Sequence, residues 1–449
     1  MKHFLTWKKA LIPAVVPLVL LASACTSQTK SEEPGGTGAQ TSAAPEPITL
    51  TFFTYVNDDY FNKTWGDAIR AKFPNIIVKH LVRSQNMTVQ DMISAGQVPD
   101  VMRTLLSNFD DYAGLGLAYD LQELVDLKKY DLKQFDKSYV DTMRNEGRSI
   151  DPANPNALYG LPINGPAVLV LFYNKDVFDT FGEPYPKDGM TWDEVYNLAR
   201  KMTRTQGSIS YRGMTMNYQS LLVNNQKSLP VLDPKADKMS SAGEWKTVFD
   251  NLTRFYQIPG NARMVAAAEG TTELNAFYRQ RNVAMYIGSI NDHPNFPENL
   301  NLDLVTMPQV AGAPNQISQS INPYWSITKQ SKHKEAAFDV IAFLLSEEMQ
   351  KLNAKQGIVP TLTKASVRQE FGKDVPVLQG KHVEAVFKYP FTGVMPARST
   401  TVTQVPYNTG RNTLYKAFEQ AADGQIDTNT ALSQAEEAIV KEIQTIKSR

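Results

Sequence analysis

Residues Leu158 to Met202 read LYGLPINGPAVLVLFYNKDVFDTFGEPYPKDGMTWDEVYNLARKM, and the fold is decided here. Val168 to Tyr173 is an apolar run without alternation, the mark of a strand buried on both faces. Pro162, Gly165 and Pro166 punctuate the chain before it. Pro184 and Pro186 end one element after it, and Thr191 starts the next. Thr191 with Glu194 three residues on is a capping box. Trp192, Val195, Ala199 and Met202 then share one helical face. A buried strand, a loop and an amphipathic helix in that order predict an α/β core.

The same alternation extends outward. Ile48–Val56 (ITLTFFTYV) and Ile76–Val82 read as strands, with a helix over Tyr60–Phe73 between them, closed by Pro74. Thr88–Ala95 is a short helix, and GQVPDVM from Gly96 leads into the next strand. Asp120–Glu146 reads as one or two helices. On the carboxyl side, Gly243–Tyr256 is amphipathic through Trp245, Val248, Leu252 and Phe255. Asn282–Ile287 and Leu302–Met307 read as strands. Ser331–Gln356 reads as one long helix ending before Gly357 and Pro360. Helices around Arg411–Asp423 and Thr428–Ile446 close the chain.

Residues 1–24 read as a signal peptide. Lys2, Lys8 and Lys9 precede an apolar core, Ala10–Leu21, of about a dozen residues, too short to span a bilayer. Leu21-Ala22-Ser23-Ala24-Cys25 looks like a lipobox, which predicts a lipid on Cys25; plain secretion with a free thiol is the competing reading. Cys25 is the single cysteine, so no internal disulfide is expected. Residues 25–47 are rich in Ser, Thr, Gly, Pro and Ala and read as a disordered linker. About 400 residues follow, too many for one compact core, so two lobes are expected. The 46 basic and 46 acidic side chains balance, and no basic block points to nucleic acid.

No catalytic or metal motif stands out. His3, His80, His293, His333 and His382 are scattered without metal-ligand spacing. No GxSxG elbow occurs, and Gly372-Lys373 and Gly380-Lys381 lack the Ser or Thr of a phosphate loop. Asp58 and Asp59 could supply a glycosidase carboxylate with a distant partner, although adjacent acids are more often solvated or helix caps. No metal and no cofactor is expected.

LYGLPIN, LFYNKDVFDTFG, PYPKDGMTWDEVYNLA and YRG, together with GQVPDV, AMYIG and SKHKEAAFDVIAFLLSEEMQ, resemble the extracellular solute-binding proteins of ATP-driven importers. The likeness is to the sugar-type branch that includes maltose-binding protein, in the long lipoprotein form of Gram-positive bacteria. The resemblance implies an α/β, two-lobe periplasmic-binding-protein-like fold of class II type, with a ligand cleft between lobes joined by hinge crossings. Expected crossings are Leu161–Pro166, Ser320–Ile327 and Phe391–Pro396. Residues 48–163 with 323–390 would form one lobe, and 164–322 with 391–449 the other. The implied function is non-enzymatic. A carbohydrate, most naturally an oligosaccharide, is captured outside the cell and handed to the transmembrane subunits of an ABC permease by a lipid-anchored monomer.

Sugars present paired hydroxyls and apolar C–H faces, so planar polar groups and aromatic rings recognise them. Strand ends, crossings and family position together give the candidate contacts. These are Tyr55, Asn57, Asp58, Asn108, Asn164, Asn291, Asp292, Asn322, Tyr324, Trp325, Tyr407 and Arg411. For each aromatic, core burial is the competing reading. Two alternatives remain: a secreted, lipid-anchored carbohydrate-active enzyme, and a binder of peptide or another polar solute.

Overall fold

The computed structural model describes residues 46–448 except 84–87, 106–108, 110–111, 152, 166, 265–271, 318–322, 397, 400 and 407; for 149, 150 and 272 it describes the backbone alone. The leader, Cys25 and nearly all of the linker lie outside the described residues. Ten strands are described: β1 (Ile48–Thr54), β2 (Ile76–Val82), β3 (Val101–Thr104), β4 (Leu161–Pro162), β5 (Leu169–Asn174), β6 (Arg204–Gln206), β7 (Ile209–Met216), β8 (Val283–Ser289), β9 (Leu302–Thr306) and β10 (Tyr324–Ile327). They form two five-stranded sheets, in the orders β2-β1-β3-β10-β4 and β6-β7-β8-β5-β9.

In the first sheet β1 runs parallel to β2 and β3, while β10 runs antiparallel between β3 and β4. Leu50 and Phe52 of β1 enter the main core of this sheet; Phe53, on the other face, packs with Val89, Met92, Met102, Tyr112 and Leu117. The helices Lys137–Ile150, Lys334–Leu344 and Glu347–Lys355 add Tyr139, Met143, Phe338, Ile341 and Met349 to the main core.

The second sheet is centred on β5, all six of whose residues are buried, as the unalternated run predicts. Sequestering each large apolar side chain contributes about 1.5–3 kcal/mol. The predicted helix is observed at Trp192–Met202, with Thr191 and Glu194 in a reciprocal capping box. It lies very close to β7: a Cβ on Gly213 would fall 1.9 Å from the Ala199 carbonyl oxygen. Trp245, Phe249, Phe418, Leu432 and Ile439 complete this core from the helices Ala242–Tyr256, Arg411–Ala422 and Thr428–Lys447. Among the described residues no helix is long and apolar enough to cross a membrane.

Three expectations are corrected. The helix expected over Tyr60–Phe73 begins at Asp58, capped by Asn57, and contains a π turn at Asn62–Gly66. The long helix expected over Ser331–Gln356 is two, because Ser346 caps a fresh start by accepting from the Met349 N–H. The residues up to 390 do not all belong with the first lobe. Leu362 and Val367 pack in the first core, but Phe371, Val377, Leu378 and Val386 pack in the second. Asp188 fastens this segment to the second sheet, accepting from His382 Nε2 at 2.8 Å and Lys388 Nζ at 2.9 Å.

Candidate ligand-binding site

Ligands of open α/β sheets gather at the carboxyl ends of parallel strands. In the first sheet these ends carry Tyr55, Arg83 and the pair Arg103–Thr104. Tyr55 is half-buried, and its hydroxyl lies 3.0 Å from that of Tyr112. Arg83 donates from Nη1 to the Tyr55 hydroxyl, with its guanidinium carbon 5.0 Å from the ring centroid. Burial opposes the charge on Arg83, yet the phenol oxygens of Tyr55 and Tyr112 hold its pKa above the ordinary value. Burial has the upper hand at Arg103 and pushes its pKa down, against the pull of Tyr60 and Tyr55. The Arg103 Nε is buried without a hydrogen-bond partner among the described residues.

Other candidates at this end serve the fold. The Asn57 Oδ1 accepts from the Tyr60 N–H at 2.9 Å as a helix cap. The Asp58 carboxylate meets His80 Nδ1 at 2.6 Å, and the imidazole stacks on Phe61 at 4.0 Å. Asn108 lies outside the described residues. Tyr324 and Trp325, expected at the ligand, are corrected: both are 0% exposed. They belong to β10, an inner strand, so both side-chain faces are covered. The Tyr324 hydroxyl donates to the Tyr139 carbonyl at 3.0 Å, and the Trp325 ring lies 5.0 Å from Trp65.

The crossing Leu161–Pro166 starts as β4 of the first sheet, and Asn164 follows it, half-buried. Beside it, Gly165 is needed for a reason other than ligand approach. Its N–H donates to the Val359 carbonyl at 2.5 Å, and a Cβ there would strike the Val359 side chain at 2.3 Å. After β8, Asn291 is exposed in a 3-10 turn. Asp292 turns inward instead, accepting from the Tyr286 hydroxyl at 2.9 Å and the Ser289 N–H at 3.0 Å; burial pushes its carboxyl pKa up. Asn322 and Tyr407 lie outside the described residues.

Arg411 lines a pocket of about 150 Å³ with Glu146, Val223, Pro230, Pro396 and Arg398. Here the helix Lys137–Ile150 of the first core faces the returning segment, and Asn145 Nδ2 donates to the Met395 carbonyl at 2.8 Å. Arg398 is held by the Asp233 carbonyl at 2.8 Å and Asp237 Oδ1 at 2.5 Å. A larger pocket, about 260 Å³, is lined by Trp192, Leu221, Gln226, Leu252, Met307 and Val310 and belongs wholly to the second sheet's side.

Two groupings thus emerge, Tyr55 with Arg83 and Tyr112, and Arg411 with Glu146; Asn57 and Asp58 lie at the first of these ends but are engaged in a helix cap and with His80. Sequence reading missed Arg83, although it directly follows a predicted strand and the strand-end rule reaches it. It also missed Arg103, which reads as strand interior, and Glu146, whose pocket exists only through distant segments. Among the described residues no group of three His, Cys, Asp or Glu side chains could hold a metal ion.

With this geometry in view, the family is clear. Residues 58–351 match the bacterial extracellular solute-binding proteins, and the chain belongs to that family of binding proteins. A sugar transporter protein from Rhizobium etli in an open conformation is similar, with a TM-score of 0.72 and 18% identity, over 87% of this chain and 99% of that one. An ABC substrate-binding protein from Listeria monocytogenes in complex with cycloalternan gives 0.69 and 20%, over 89% and 100%. The maltose/maltodextrin-binding domain MalE from Bdellovibrio bacteriovorus, bound to maltotriose, gives 0.61 and 16%, over 88% and 100%. No curated protein sequence matches the chain significantly. The architecture is therefore the two-lobe periplasmic-binding type.

Proposed function

We propose that the protein captures a carbohydrate, an oligosaccharide in preference to a single sugar, and delivers it to the permease of an ABC importer. The observation that carries this reading is the strand-end pair of Tyr55 and Arg83, braced from within by the buried Tyr112 hydroxyl, which joins an aromatic face to a planar donor, the mixture sugars select. Membership of the extracellular solute-binding family and likeness to sugar-binding structures support it. Lipidation of Cys25, read from the leader, would tether the protein to the outer face of the cell membrane. Ligand contacts to both lobes would favour a closed state by differential affinity.

A thermal-shift and calorimetric panel of oligosaccharides tests the proposal, since a tight ligand raises the melting point by mass action. A stable complex with chemically unchanged glycan is expected. Release of product, abolished by Asp58→Asn, would replace binding with hydrolysis. Silence across all glycans with a response to peptides would replace sugar with another solute.

A further inference from the structure

We infer that the ligand carries negative charge: an acidic oligosaccharide, whose carboxylate or sulfate groups are met by Arg83 and Arg103. The inference rests on the sugar-binding reading and adds the substrate class.

Two arginines stand at the carboxyl ends of β2 and β3, the parallel strands on either side of β1 in the first sheet. Arg83, just past β2, reaches the Tyr55 hydroxyl. Arg103 lies on β3, which pairs with β1 just ahead of Tyr55, and the Tyr60 ring beyond β1 is 43% exposed. Among the described residues no Asp or Glu pairs with either arginine, although most basic side chains that pair elsewhere in the molecule find carboxylates. Asp58, next to this strand end, is engaged by His80.

A guanidinium has five N–H donors and no acceptor. Withdrawing it from water without an anion is costly, and a buried Nε without a partner adds to the cost. Such an arrangement is sustained when a ligand supplies the missing acceptors. The planar fork of Arg matches the two oxygens of a carboxylate, or a pair of sulfate oxygens, better than a lone hydroxyl. Tyr55 and Tyr60 offer faces to the sugar ring that bears the acid.

The test is calorimetry on the detergent-solubilised full chain with four probes: oligogalacturonate, its fully methyl-esterified neutral counterpart, a sulfated oligosaccharide and a neutral malto-oligosaccharide. At least one acidic probe should bind about tenfold or more tighter than both neutral probes, the scale of one charged hydrogen bond. Its affinity should fall as sodium chloride is added. Which acidic probe binds distinguishes carboxylate from sulfate. Arg103→Gln and Arg83→Gln should each weaken acidic binding about tenfold and flatten the salt dependence. If either variant fails to fold, the salt dependence of the unaltered protein still decides. Neutral probes binding as tightly as acidic ones, or acidic binding indifferent to salt, would overturn the inference and leave the sugar-binding reading standing. Failure of all four to bind would overturn both.

Discussion

Glu273 Oε2 accepts the Tyr256 hydroxyl at 2.9 Å inside the second core. The same oxygen accepts the Met216 N–H at 2.9 Å, and Oε1 accepts the Met264 N–H at 3.4 Å. Burial outweighs these donors and raises the carboxyl pKa above its ordinary 4.5. The folded state therefore holds a proton that the unfolded chain releases first. Glu273 contributes most stability below about pH 4.5, and that contribution is lost as pH rises through the higher folded value. Glu273→Gln keeps a carbonyl acceptor and cannot ionise. Its melting temperature relative to the unaltered protein should improve as pH is raised from 4 to 7, measured by calorimetry; a constant difference would contradict the assignment.

Asp188 has the opposite sign. Burial opposes its charge, but His382, Lys388 and the Thr306 N–H overcome that and hold the pKa below 3.8. Its stabilising effect is present above pH 3.8 and disappears as pH falls through the lowered value. Asp188→Asn should destabilise by about 1–3 kcal/mol at neutral pH, and by progressively less in acid. Because Asp188 ties residues 382–388 to the second sheet, proteolysis of the variant should cut first in that segment.

Trp325 provides a test of placement. It packs edge-on to Phe52 and Trp65 in the first core, and its Nε1 has no partner among the described residues. Trp325→Ala should cost about 3–5 kcal/mol in urea denaturation. Trp325→Phe should cost markedly less, because the unpaired donor leaves with the volume. Ligand affinity should be unchanged in the Phe variant; a large loss would return this ring to the binding surface.

Lipidation is tested directly. Cys25→Ala should shift the protein from the membrane fraction to the medium without altering the melting point of the folded domain. Retention on the membrane would show that some other feature anchors it.

Regular elements were legible because their causes are local. The unalternated run of β5 and the Thr191–Glu194 box needed no tertiary knowledge. The break at Ser346 was hidden by apolar periodicity continuing on either side of it, and a serine within a helical pattern gives weak notice of a cap. Site residues were harder, because polarity at a strand end has two uses. Asn57 and Asp292 cap turns, whereas Arg83 reaches across to Tyr55, and nothing in the local sequence separates these fates. Tyr324 and Trp325 read as binding rings because a crossing was expected there; as part of an inner strand they are packed from both sides.

The position of β10 has a consequence for how the first sheet is assembled. Residues Tyr324–Ile327 fill the gap between β3 and β4, so the amino-terminal sheet cannot close before these residues are available to pair. Closure then depends on contacts more than two hundred residues apart, such as Thr104 with Ser326, and pairings of that range form slowly. The first sheet is thus completed only by residues contributed from the second half of the sequence.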